Sequence, residues 1–141
     1  NNQNGGEMRI IVIILLVFFG SSILAKNVSN EYGYKVTRYA CVGNFYYSDG
    51  EVENNFLTEL YFQESEEDPK NMMIKVGTGG INSYDAGIQM FENTSSHITA
   101  SSLHPRYGDK EFIRFDKKSG EVLKVDNYRN GRSAKFEGEC Y

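Results

Sequence analysis

The two histidines, His97 and His104, are the residues of this sequence best suited to acid–base chemistry or metal binding. Residues seven positions apart in an extended chain point to opposite faces, so a shared metal site needs a bend and additional carboxylates. No Gly-x-Ser-x-Gly motif is present to position a serine nucleophile near either histidine. We therefore interpret both histidines as structural, and we predict no catalytic residue, no metal site, no cofactor and no enzymatic activity.

Two short segments resemble ligand-binding loops in composition only. Gly77-Thr78-Gly79-Gly80 offers backbone amides to an anion, but it lacks the Gly-Lys-Ser/Thr ending of a phosphate-binding loop. The acidic run at 64–68 offers carboxylates to calcium, but its spacing does not match the helix-loop-helix calcium motif. We predict a turn at the first segment and a solvated loop at the second.

The two cysteines, Cys41 and Cys140, point to a single cross-link. An even number of cysteines in an exported chain favours a disulfide, although two free thiols or an intermolecular pair are the alternatives. Neither cysteine lies in a Cys-x-x-Cys motif, so a redox role is not indicated. A disulfide closing a loop of about 100 residues is worth up to about 4–5 kcal/mol in the chain-entropy model.

The N-terminal region predicts export. Met8-Arg9 precedes the apolar run 10–19, and Gly20-Ser-Ser-Ile-Leu-Ala25 follows it. This is the order of a signal peptide over 8–25, with cleavage after Ala25. The alternative is an uncleaved anchor, but the apolar run is shorter than the roughly 20 residues that a membrane span needs. The released protein is expected to be periplasmic or secreted, with no attachment to the membrane.

The seven residues before Met8 suggest a bacterial source. Gly5-Gly6-Glu7 can be encoded by a purine-rich ribosome-binding site upstream of a start codon. We interpret 1–7 as a translated leader, and the alternative is a genuine N-terminal extension. The nucleotide sequence distinguishes the two.

Length and composition indicate one folded domain over 26–141. The chain has 141 residues and a formal net charge of −4, which is enough length for one domain. The charged and aromatic content argues against disorder. A net acidic chain is a poor candidate for sequence-independent nucleic-acid binding, because such binding uses Lys and Arg to neutralise phosphates.

Apolar alternation and turn signals predict an all-β domain. We expect about eight antiparallel strands in an up-and-down barrel or a sandwich, preceded by the signal helix. The segment 51–63 fits a helix or a strand, and Thr, Tyr and Phe favour the strand. A disulfide between the first and last strands favours the barrel. The predicted strands cover 32–41, 51–63, 72–76, 86–91, 97–103, 111–115, 121–125 and 133–140.

Three short motifs in this sequence resemble those of a known group of proteins. They are Cys41-Val42-Gly43 in the first strand, Asp116-Lys-Lys-Ser119-Gly120 in a hairpin, and Gly138-Glu139-Cys140 at the end. Together with the export signal, they resemble a group of small, mostly uncharacterised exported bacterial proteins. The resemblance implies a β fold with one disulfide and supplies no catalytic residues. The expected architecture is also similar to that of periplasmic lysozyme inhibitors, which are small disulfide-linked β-barrels.

Charge and loop tyrosines suggest a binding role at the cell envelope. We expect a non-enzymatic protein-binding or inhibitor module, whose partner is an envelope or secreted protein. The alternative is a carrier of a small apolar ligand inside the barrel, although the Phe and Met content favours a filled interior. Tyr46, Tyr47 and Tyr107 are predicted to lie in loops, which suit binding surfaces. The candidate binding surface comprises Tyr46, Tyr47, Glu64, Glu66, Glu67, Asp68 and Tyr107.

Overall fold

The computed structural model describes residues 26–104 and 106–141, so the predicted leader 1–7 and signal peptide 8–25 lie outside it. In these ranges no helix is long and apolar enough to cross a membrane. The described residues form ten strands: β1 (Asn27–Glu31), β2 (Tyr34–Tyr47), β3 (Val52–Ser65), β4 (Met72–Val76), β5 (Ile81–Asn82), β6 (Ile88–Asn93), β7 (His97–Leu103), β8 (Lys110–Asp116), β9 (Glu121–Asn127) and β10 (Ser133–Cys140).

The strands form one antiparallel sheet that curls into a nearly closed barrel. Its order is β5-β4-β3-β2-β10-β9-β8-β7-β6, and β1 pairs with the first part of β2. The chain therefore makes two meanders, β2 to β5 and β6 to β10, which are joined where β2 pairs with β10. The remaining gap lies between β5 and β6, in the middle of the chain. The predicted all-β, antiparallel barrel is confirmed at this level.

Some predicted boundaries differ from those observed. The ambiguous segment 51–63 is a strand, as favoured. The two short strands β1 and β5 were not predicted. The prediction that Tyr46 and Tyr47 lie in a loop is wrong, because β2 continues through both residues. The reason is that β10 supplies backbone partners for β2 up to Ala134, which pairs with Tyr47.

Alternating side chains fill the barrel interior toward the end where β2 begins. On β8, for example, Ile113 and Phe115 are buried whereas Arg114 is exposed. Period-two alternation of this kind places one face of each strand in the core. The buried core comprises Cys41, Leu60, Phe62, Ile74, Val76, Ile81, Ile98, Ala100, Ile113, Phe115, Val122, Phe136 and Cys140.

The predicted disulfide joins Cys41 and Cys140. The two residues are directly paired across β2 and β10, and Gly43 pairs with Gly138 two positions further along. A Cβ on Gly43 would lie 2.1 Å from the carbonyl oxygen of Glu137, so this close strand contact requires glycine. A disulfide of this kind is consistent with an oxidising compartment.

The hairpin motif 116–120 contacts the chain at Cys140, beside the disulfide. Gly120 has a φ of +79°, and a Cβ on it would lie 2.4 Å from the carbonyl oxygen of Cys140. The amide of Cys140 donates to the carbonyl of Gly120 at 2.8 Å. The Asp116 carboxylate accepts from the amides of Lys118 and Ser119 and shapes the turn. The three sequence motifs thus converge around the disulfide and serve the architecture.

Candidate functional site

An open cavity of about 990 Å³ lies at the end of the barrel where β2 ends and β10 begins. The prediction of a filled interior is therefore wrong for this end, where apolar, glycine and charged residues border an open space. The cavity has an aromatic side and a charged floor. Its lining comprises Phe45, Tyr47, Phe56, Leu57, Thr58, residues 76–80, residues 85–87, residues 102–104, residues 109–111, Lys124, Asp126, Tyr128 and Ala134.

A β-bulge brings two aromatic rings to the cavity wall. The register between β2 and β3 shifts between Gly43 and Phe45. Asn55 adopts a φ of +54°, and its amide donates to the side-chain oxygen of Asn44 at 3.1 Å. Asn tolerates this left-handed conformation better than most residues. Phe45 and Phe56 consequently meet edge to face, with ring centroids 4.8 Å apart.

Three charged side chains form the cavity floor. Glu111 on β8 is directly paired with Asp126 on β9, and Lys124 lies two residues before Asp126 on the same face. The ammonium of Lys124 is 3.7 Å from Glu111 Oε1 and 3.6 Å from Asp126 Oδ2. The exposed fractions of the Lys124, Glu111 and Asp126 side chains are 7%, 18% and 20%, so all three charges are largely withdrawn from water.

Lys124 also fixes the loop that follows β4. Its Nζ donates to the carbonyl of Val76 at 3.1 Å and to the carbonyl of Thr78 at 2.8 Å. The segment 77–80 is a turn, as predicted, and it lies beside the charged floor near Gly79. Within this segment, the carbonyl of Thr78 faces the Lys124 ammonium.

Glu111 has one oxygen without a hydrogen bond. Its Oε1 atom has almost no accessible surface and has no hydrogen-bond partner among the described residues, whereas the rest of the side chain borders the cavity. Burial raises the pKa of the Glu111 carboxyl, and Lys124 opposes this rise only in part. Burial likewise raises the pKa of Asp126 against the attraction of Lys124. A buried oxygen without a hydrogen bond is costly.

The seven residues of the candidate binding surface do not form one surface. Tyr46 and Tyr47 lie at the cavity end of β2, and Tyr107 lies in the loop after β7 at the same end. The acidic residues lie at the end of β3 or just beyond it, where β2 begins. Only Tyr47 among the seven lines the cavity. The residues placed at the opposite end are Glu64, Glu66, Glu67 and Asp68.

The predicted loop 64–68 is a loop only from 66 onward, because Glu64 and Ser65 are the last residues of β3. This acidic segment has exposed tyrosines beside it. The hydroxyl of Tyr84 donates to the carboxylate of Asp68, and the Tyr84 ring stays largely exposed. Tyr32 is fully exposed in the turn before β2. Its neighbour Gly33 accepts a hydrogen bond from the amide of Glu66. This end of the barrel therefore combines negative charge with exposed aromatic surface.

Both histidines have local structural partners. His97 Nδ1 lies 3.2 Å from Thr94 Oγ1 and 3.0 Å from Ser96 Oγ at the start of β7. The His104 ring stacks on Tyr107 with centroids 4.7 Å apart. In residues 26–104 and 106–141, no group of three or more His, Cys, Asp or Glu side chains is arranged to hold a metal ion.

Sequence reasoning did not identify the charged floor. On β9, Val122 faces inward while Leu123 and Val125 face outward, so both faces of this strand contain apolar residues. Alternation therefore does not reveal that Lys124 points inward. The available signal was on β8, where Glu111 shares the period-two register of Ile113 and Phe115.

Comparison of the chain with protein-family models, curated proteins and solved structures finds no match.

Proposed function

We propose that this protein is a non-enzymatic binding protein of the periplasm or extracellular space, which carries a small ligand in the open end of its barrel. The observation that supports this most directly is the cavity of about 990 Å³, whose lining includes the carboxylate residues Glu111 and Asp126. Ligand pockets in proteins are typically 300–1,000 Å³ in volume. Barrels of about this size hold one small ligand.

The lining defines the kind of molecule that fits. Phe45, Phe56 and Leu57 provide an apolar and aromatic wall, and Leu57 is mostly exposed. Covering such a wall with a ligand is favourable because it removes apolar surface from water. The floor accepts a hydrogen bond at Glu111. The proposed ligand therefore has an apolar body and one hydrogen-bond-donating group.

The test uses N-phenyl-1-naphthylamine, a fluorescent apolar probe with one N–H donor. We expect saturable binding to the exported, disulfide-bonded protein. Ser102→Phe places a ring in the cavity and is expected to lower probe affinity about tenfold or more. Ser101→Phe is the matched control, because this neighbouring residue on β7 does not line the cavity. It should bind the probe as the parent protein does.

A second cavity variant distinguishes loss of the binding site from misfolding of Ser102→Phe. Leu57 is mostly exposed, so Leu57→Ser removes apolar wall without disturbing the core. It should weaken probe binding while the circular dichroism spectrum stays unchanged. Absence of saturable binding by the parent protein, or equal affinity of Ser102→Phe and Ser101→Phe, would contradict the proposal.

A second candidate is the protein-binding or inhibitor role. It is favoured by the exposed rings of Tyr32 and Tyr84 beside the acidic loop 64–68. Such a surface suits a cationic protein of the envelope, because charge complementarity steers association. The two candidates use opposite ends of the barrel. A protein partner that is lost with Tyr84→Ala and retained with Ser102→Phe would favour this second role.

A further inference from the structure

We propose that the cavity selects a cationic ligand: a molecule with an apolar or aromatic body and one protonated amine, held against Glu111 and Asp126. This inference rests on the proposed function and specifies the substrate class of that site. Charge is the first argument. The charged side chains that line the cavity are the acidic Asp85, Asp109, Glu111 and Asp126 and the basic Lys110 and Lys124, a surplus of two negative charges.

The hydrogen bonds of Lys124 leave the carboxylates of the floor unsatisfied. An ammonium has three N–H donors, and the carbonyls of Val76 and Thr78 take two of those on Lys124. Its distances to Glu111 and Asp126, 3.7 and 3.6 Å, exceed ordinary hydrogen-bond lengths. One cation thus faces two carboxylates without bonding closely to either. A second ammonium, supplied by the ligand, would complete the set.

The wall of the cavity suits the same chemistry. Tyr47, Phe45, Phe56 and Tyr128 all line it. Aromatic faces attract cations through their quadrupoles, and this attraction strengthens when the cation is withdrawn from water. An alcohol could donate to a carboxylate of the floor, but it would gain neither this attraction nor the ion pair that an ammonium forms there. An anion would meet the negative surplus directly.

Protonation of Glu111 and Asp126 should make the preference for a cationic ligand depend on pH. Burial raises the pKa of Glu111 and of Asp126, so both take up protons at a higher pH than exposed carboxyls do. As the pH falls, the floor loses negative charge, and the preference for a cation falls with it. The charged and titratable groups that line the cavity with Glu111 are Lys124 and Asp126 of β9, Tyr128 beyond its end, Lys110 of β8, His104 and Asp109 between β7 and β8, Asp85 before β6, and Tyr47 of β2.

Three probes with the same aromatic body separate charge from size: 1-naphthylmethylammonium, 1-naphthalenemethanol and 1-naphthaleneacetate. Isothermal titration calorimetry on the disulfide-bonded protein gives the three dissociation constants. We expect the cation to bind about tenfold more tightly than the alcohol, and the anion to bind most weakly. Glu111→Gln should remove most of the difference between cation and alcohol while leaving the affinity for the alcohol unchanged.

Glu137→Gln is the matched control, because this residue lies on the outer side of β10 in an ion pair with Lys135. It should keep the full preference for the cation. Lowering the pH from about 8 to about 5 should reduce the preference in the parent protein more than in Glu111→Gln. Equal affinities for cation and alcohol would overturn the cationic selectivity and leave the proposed carrier function intact. Failure of all three probes and of N-phenyl-1-naphthylamine to bind would overturn both.

Discussion

Gly43 shows how a single residue sets the contact between two strands. Its position opposite Gly138 leaves no space for a Cβ, because backbone atoms of Glu137 and Gly138 fill that volume. The space above Gly138 is in turn partly filled by the ring of Phe136, whose Cζ would lie 2.9 Å from an added Cβ. The glycine pair thus lets the strands approach closely under a core aromatic ring.

We expect Gly43→Ala to destabilise the protein by about 2–3 kcal/mol, since overpacking a well-filled contact typically costs 1–3 kcal/mol. Urea unfolding followed by circular dichroism measures this change. Gly50→Ala is the comparison: nothing lies within 4 Å of the added Cβ, and only its φ of +92° opposes the substitution. If Gly43→Ala unfolded at the same urea concentration as the parent protein, the close contact would not be needed for stability.

At the scale of elements, Lys124 connects β9 to the loop after β4 across the open end of the barrel. The bonds to Val76 and Thr78 link residues almost fifty positions apart in the chain. They also give the loop 77–80 a defined position over the floor. A single buried cation thereby holds together two strands and the cavity that they border.

Lys124→Met should destabilise the protein by about 3 kcal/mol, because breaking a buried ion pair by removing one partner typically costs 3–5 kcal/mol. The loss leaves Glu111 and Asp126 facing each other without a cation. The double variant Lys124→Met/Glu111→Gln should therefore be more stable than the single variant, which a double-mutant cycle in urea measures. Lys118→Met, at an exposed turn residue, is the control. An equal cost for Lys118→Met and Lys124→Met would contradict the role of Lys124.

Some strands could be predicted from their own sequences, and others could not. The segments 72–76, 97–103 and 133–140 were predicted with their observed bounds. In 133–140, for example, Ala, Phe, Gly and Cys alternate with Lys and Glu after the Asn130-Gly131 turn signal. β5 has two residues and β1 has a polar sequence, so neither carries a pattern that predicts it. The cavity floor was missed because Lys124 and Asp126 are charged residues on the inward face of β9, and apolar residues occur on both faces of that strand.

At the scale of the whole molecule, two meanders close on each other along two lines. The first is the continuous ladder between β2 and β10, from Ala134 to Cys140. The second is the gap near β6, where the side-chain amide of Asn93 donates to Glu64 at 3.1 Å. The carbonyl oxygen of that amide accepts from Lys117 at 2.6 Å. The β2–β10 ladder provides most of the contact between the two meanders, and the disulfide lies at the end of this ladder.

Cys41 and Cys140 are 99 positions apart, so their bond closes a loop that includes almost the entire barrel. Cross-links that close long loops remove much conformational freedom from the unfolded chain, and losing a native disulfide typically costs 2–5 kcal/mol. We expect Cys41→Ala/Cys140→Ala to be about 3–5 kcal/mol less stable in urea than the oxidised parent protein. The reduced parent protein is the control, and it should resemble the double variant because both retain the β2–β10 ladder. A cost below about 1 kcal/mol would mean that the ladder alone holds the two meanders together, since the unfolded chain would then gain little from losing the cross-link.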